Sequence, residues 1–256
     1  MKRKVVSLLL VLITATCLTF GGCGKTENQD SSGSGGGNVT NATFTLEEVA
    51  SGYSVKGLKD KSVTEIVIPS EINGKPVTEI AESAFKDLAK VTSLVIPDSV
   101  TKIGKNALKG MGALKSLTTP FVGSSASAKG EKALLGYMFG SGEFTGASEV
   151  EQVYGEGVED REVYYIPDSL SFVNITGERI GNGAFYDCAK ITEVELGETV
   201  VNIEENAFYG NKIVCVYVNG NAMASLLVGK DACGGILSNV PAVCLAEGVT
   251  KVSGFV

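Results

Sequence analysis

Four times the chain spells an isoleucine, three mostly polar residues, an alanine and a large apolar residue: Ile80-Ala-Glu-Ser-Ala84-Phe85, Ile103-Gly-Lys-Asn-Ala107-Leu108, Ile180-Gly-Asn-Gly-Ala184-Phe185 and Ile203-Glu-Glu-Asn-Ala207-Phe208. The steps from Ile80 to Ile103, from Leu94 to Leu117 and from Ile180 to Ile203 are all 23 residues. A unit that short cannot bury its own apolar face, so it must stack on copies of itself. The repeat predicts a solenoid, an architecture that usually binds other molecules and seldom does chemistry.

Each coil opens on a second pattern. Val63-Thr-Glu-Ile66-Val-Ile68-Pro69, Val91-Thr-Ser-Leu94-Val-Ile96-Pro97, Leu114-Lys-Ser-Leu117-Thr-Thr119-Pro120, Leu170-Ser-Phe-Val173-Asn-Ile175, Ile191-Thr-Glu-Val194-Glu-Leu196 and Ile213-Val-Cys-Val216-Tyr-Val218 all alternate at their fourth and sixth places. Alternation over so few residues is the mark of a short strand with one buried face. Proline closes the first three because it has no N–H to give the next rung. The six strands predict a parallel sheet with the isoleucine and Ala-Phe segments returning along its far side. With the fourth and sixth residues buried, the third and fifth face solvent. Among these, Phe172, Asn174, Glu193, Glu195 and Tyr217 are the candidate contact patch, since exposed aromatics do nothing for the core and dominate binding hot spots.

The stretches IPDSVTKIGKNALKGMGAL, from Ile96, and IGNGAFYDCAKITEVEL, from Ile180, resemble the consensus of the BspA-like leucine-rich-repeat family of bacterial surface proteins. The resemblance runs from residue 53 to about 218, and IPSEINGKPVTEI, from Ile68, is similar to the family's usual first repeat. It implies a leucine-rich-repeat solenoid with a short curved parallel sheet, display on the cell surface, and binding or adhesion. The family's motifs are structural, so the resemblance carries no catalytic residues. Where its consensus has cysteine before the next strand, this chain has Leu88, Met111 and Cys188. That interchange asks only for an apolar plug and predicts a buried, inert Cys188 thiol.

Ahead of the repeats, Lys2, Arg3 and Lys4, an apolar run over 5–18 and Phe20-Gly-Gly-Cys23 form a secretory signal over residues 1–22. The small residues before Cys23 resemble a bacterial lipobox, which would make Cys23 the lipidated residue and its lipid the attachment to the membrane; ordinary secretion and an uncleaved anchor are the alternatives. Residues 23–43 are rich in Ser, Gly, Asn and Thr and read as a tether. The repeat domain is expected over 44–218 and a C-terminal cap over 219–256. Without the signal the chain keeps 19 of its 22 Lys and Arg against 29 Asp and Glu, a net charge near −10. Such a charge repels phosphate backbones, and nucleic acid is excluded as a partner.

One break interrupts the period. Leu117 to Val173 is 56 residues, and the insertion over about 121–166 holds Leu135-Gly-Tyr-Met-Phe-Gly140 and an acidic run over 149–162. It reads either as an excursion covering the core or as a lobe that grips a ligand. Cys215 falls at an outward strand position, and Cys233 and Cys244 are a candidate disulfide in an oxidising exterior. The chain has no histidine. That removes Ser-His and Cys-His nucleophile pairs and any ordinary zinc site, so no metal or other cofactor is expected. Glu193 and Glu195 are the one carboxylate pair a glycosidase would want, although such residues on an open strand face are usually only solvated. The expected function is a non-catalytic, lipid-anchored binding module for an extracellular protein or glycan. The alternative is a structural or accessory lipoprotein that scaffolds another envelope component.

Overall fold

The computed structural model describes residues 43–213 and, beyond them, the backbone of the strands Cys215–Val218, Leu227–Val228 and Ala242–Leu245. The signal, Cys23, the tether and Cys233 lie outside the described residues. So do the side chains of Cys215, Tyr217 and Cys244, and with them the expected lipid site and disulfide.

Seven strands form the main sheet, one more than the six expected. In spatial order they are Glu65–Val67, Ser93–Val95, Ser116–Thr119, Phe172–Ile175, Glu193–Leu196, Cys215–Val218 and Ala242–Leu245, each parallel to its neighbour. The seventh lies in the segment expected to be a cap. Its Val243 and Leu245 alternate as the other strands do, but Val243 stands 27 residues after Val216, off the expected step. At a strand spacing of about 4.8 Å the sheet extends roughly 29 Å. Its in-register row of Ile66, Leu94, Leu117, Val173 and Val194 is buried, as the alternation requires.

On the far side the isoleucines pair in short parallel rungs, Ile80 with Ile103 and Ile180 with Ile203. The Ala-Phe segments then stack as tight turns. Phe85 N–H donates to Ala107 O and Phe185 N–H to Ala207 O, both at 2.8 Å. Two residues in each turn take left-handed backbone. The first precedes the alanine and is Ser83, Asn106, Gly183 or Asn206; the second is Asp87, Gly110, Asp187 or Gly210. Gly, Asn and Asp tolerate that region best, which is why those types recur at both places. Inside, Phe185 stacks on Phe208 with centroids 5.0 Å apart; outside, Tyr186 stacks on Tyr209 at 4.9 Å. Leu88, Met111 and Cys188 are all buried. Burial pushes the Cys188 thiol far above its usual range, so it is held as an inert thiol.

The stack begins with an antiparallel hairpin, Phe44–Val49 with Gly52–Leu58, whose second strand runs parallel to Lys75–Ile80. It buries Phe44, Val55 and Leu58 over the first coil.

The insertion belongs to the core. Ser116–Thr119 pairs directly with Phe172–Ile175, and the chain between them supplies a rung of its own from the short helix Leu135–Phe139. Leu108 N–H donates to Met138 O and Leu135 N–H to Ala184 O, each at 2.8 Å, so the helix stands in the Ala-Phe row between two regular coils. Leu135, Met138 and Phe139 are buried in the common core. The rest is an antiparallel hairpin, Ala147–Val153 with Arg161–Pro167. Gln152, fully buried, fastens it down: its Oε1 accepts from Gly136 N–H at 2.7 Å, and its amide nitrogen donates to Ala184 O at 3.2 Å and Tyr186 O at 3.4 Å. Removing it would strand buried polar groups at a cost of about 1–3 kcal/mol. Gly136 is needed for space, since a Cβ there would lie 2.1 Å from the Tyr164 ring.

Phe185 lies between coils with no exposed surface. Phe185→Ala is expected to cost about 3–5 kcal/mol through lost transfer energy and a residual cavity. Urea unfolding of the variant measures this. A midpoint equal to the wild type's would remove Phe185 from the core.

Candidate functional site

The parallel register assembles the candidate patch from separate coils. Phe172 stands between Ser116 and Glu193, and Asn174 between Thr118 and Glu195. One strand further, Glu193 is level with Cys215 and Glu195 with Tyr217. Residues more than twenty apart in sequence thus form two adjacent rows, with neighbours in a row about 4.8 Å apart and the rows about 7 Å apart. Tyr217 joins the second row by its backbone position.

Phe172, Asn174, Glu193 and Glu195 lie opposite the buried residues of their strands, as expected, but they are half-buried rather than fully exposed. Flanking strands shade the centre of the sheet. At the edge, on Glu65–Val67, the same positions open out and Val67 reaches 47% exposure. Asn174 Oδ1 is buried and, among the described residues, accepts no hydrogen bond. An unsatisfied acceptor of this kind costs about 1–3 kcal/mol.

The patch offers a benzyl ring, a carboxamide and two carboxylates on an open sheet face. That chemistry suits contact: an apolar anchor with hydrogen-bonding groups around it.

A second cluster, absent from the sequence-based expectations, joins the insertion to the later coils. The Arg179 guanidinium is gripped by both oxygens of Glu204 and donates to Ala126 O at 2.9 Å and Ala128 O at 3.1 Å. Hydrogen bonds from Arg179 hold the Glu204 carboxyl below its ordinary range. Arg and Glu 25 residues apart carry no local signal of pairing; only the parallel rung of Ile180 on Ile203 brings them together.

The sequence profile of the BspA type leucine rich repeat region matches in six copies, over residues 55–131 and 161–225, together more than half of the chain. Among curated proteins none matches. Solved structures similar to this chain include a leucine-rich-repeat protein of T. pallidum, at 18% identity and a TM-score of 0.36, covering 85% of this chain and 100% of that one. A leucine-rich cell surface protein of Faecalibacterium prausnitzii shares 19% identity with a TM-score of 0.37, covering 84% of this chain and 56% of that one. A leucine-rich-repeat protein of Bacteroides ovatus shares 14% with a TM-score of 0.31, covering 80% and 70%. With its repeats matched over more than half its length and stacked as parallel coils, the chain belongs to the BspA-type leucine-rich-repeat family.

Proposed function

We propose that this protein is a non-catalytic binding module on the bacterial cell surface, anchored through lipid on Cys23 and contacting an extracellular protein or glycan with its open sheet face. The observation that carries the reading is the register: it sets Phe172 beside Glu193 and Asn174 beside Glu195 on the side of the sheet turned away from the core. An aromatic anchor among polar groups is the composition of a binding hot spot. The absence of histidine from the whole sequence removes the commonest general base, in keeping with a binding role.

Two experiments test it. In the native host, Cys23→Ala is expected to stop processing or release the protein from the membrane fraction; a cleaved variant that stays membrane-bound would contradict lipid anchoring. For the face, a glycan-array and extracellular-matrix screen of the mature chain supplies a ligand. Phe172→Ala should then weaken binding at least tenfold, about 1.4 kcal/mol or more, with little change in melting temperature. Wild-type affinity in this variant and in Glu193→Ala would move the contact surface off the sheet face.

A further inference from the structure

A groove of about 780 Å³ opens where the sheet strands end, and the spacing of the chain explains it. Each coil turns a corner between its sheet strand and its far-side rung. From Ile96 to Ile103 and from Leu196 to Ile203 that corner takes seven residues; from Thr119 to Ser124 and from Ile175 to Ile180 it takes five. Ser124 holds the far-side place in its coil, its carbonyl accepting from Ile103 N–H at 2.9 Å. The two short corners are adjacent, because Ser116–Thr119 pairs with Phe172–Ile175, and a long corner flanks them on each side. The result is a notch three strand spacings across, about 14 Å between the centres of its walls. Asp98 and Thr101 stand on one wall and Thr199 on the other.

The lining has a definite chemistry. Val100, Pro120 and Phe121 are buried beneath its floor, and the apolar surface a ligand meets comes from Ala126 and the methyl groups of Thr101, Thr176 and Thr199, whose hydroxyls are engaged elsewhere. Four of the five N–H donors of Arg179 are taken by Glu204 and two carbonyls of the insertion and its charge is paired with Glu204, so it braces the groove. What remains is mixed in sign, Glu178 and Asp98, whose Oδ1 already accepts from Thr176 Oγ1, against Lys129, with hydroxyls from Ser125 and Ser127. An anionic ligand would meet two carboxylates, and a wholly apolar one would strand the polar rim. A flat ring with an apolar face and hydroxyls around its edge matches both parts, since carboxylates accept from hydroxyls and an ammonium donates to them.

We propose that this notch is a second binding site, distinct from the sheet face, and that it takes a short neutral oligosaccharide. The measurement is ligand-observed NMR on the mature chain with cellotriose, chitotriose and maltotriose as neutral probes and trilysine as a cationic one. At least one trisaccharide should bind with a Kd of about 10 mM or tighter. Ser127→Trp, which fills the notch from an exposed position, and Glu178→Ala should each weaken that binding at least tenfold at unchanged melting temperature. Phe172→Ala should leave it unchanged, which separates this site from the sheet face. The proposal is overturned if no trisaccharide binds at that concentration, if trilysine binds in their place, or if both notch variants bind as the wild type does.

Discussion

Two left-handed residues per coil decide where this chain can turn, and the rest of the structure depends on those turns. In four coils the residue before the alanine and a second one four positions later adopt positive φ. For a residue with a side chain this conformation costs about 1–2 kcal/mol. The cost is lowest for Asn, Asp and Gly, and it is offset by what the turn achieves: the aromatic goes inward and the flanking amides meet the carbonyls of the next coil. Gly210 and Asp187 show how closely the turns nest, since a Cβ on Gly210 would lie 1.7 Å from the Asp187 carboxylate.

This constraint explains how a coil more than twice the usual length fits into the stack. The chain leaves at Thr119 and returns at Phe172 without disturbing the sheet, because its own helix meets the two rows of amides and carbonyls that the neighbouring turns present. What the long coil lacks is the corner. It runs from Thr119 to the far side in five residues, its neighbour does the same, and the notch is the space those corners would have filled. The groove thus draws on two coils, the one that carries the insertion and the one that follows it.

The regular parts were legible because their physics is local. Alternation predicted the buried row through Leu94 and Val173, and the repeated Ala-Phe predicted the burial of Phe185. The exchange of Leu88, Met111 and Cys188 at one slot predicted a buried thiol. The other features depend on contacts between distant segments. Gln152 sits in a strand of mixed polarity, and nothing near it in sequence signals that Ala184 and Tyr186 wait for its amide. The segment Leu135-Gly-Tyr-Met-Phe fills the Ala-Phe row without sharing its spelling. The seventh strand lies beyond the six expected, although Leu245-Ala-Glu-Gly-Val249-Thr-Lys-Val252 follows the pattern of Ile96-Pro-Asp-Ser-Val100-Thr-Lys-Ile103. At the candidate patch, alternation identified the face but not its depth, which depends on how many strands lie to either side.

The central claim is that the insertion is a rung of the solenoid, hydrogen-bonded on both sides. Amide hydrogen exchange of the native protein tests it most directly, because protection reports the free energy of opening each segment. The Leu135 amide, bonded to Ala184 O, and the Leu108 amide, bonded to Met138 O, should be as protected as those of Phe85 and Phe185 in the regular turns. Exchange of Leu135 and Leu108 at the rate of an open loop, with Phe85 and Phe185 still protected, would show that the stack is broken at the insertion and would contradict the account.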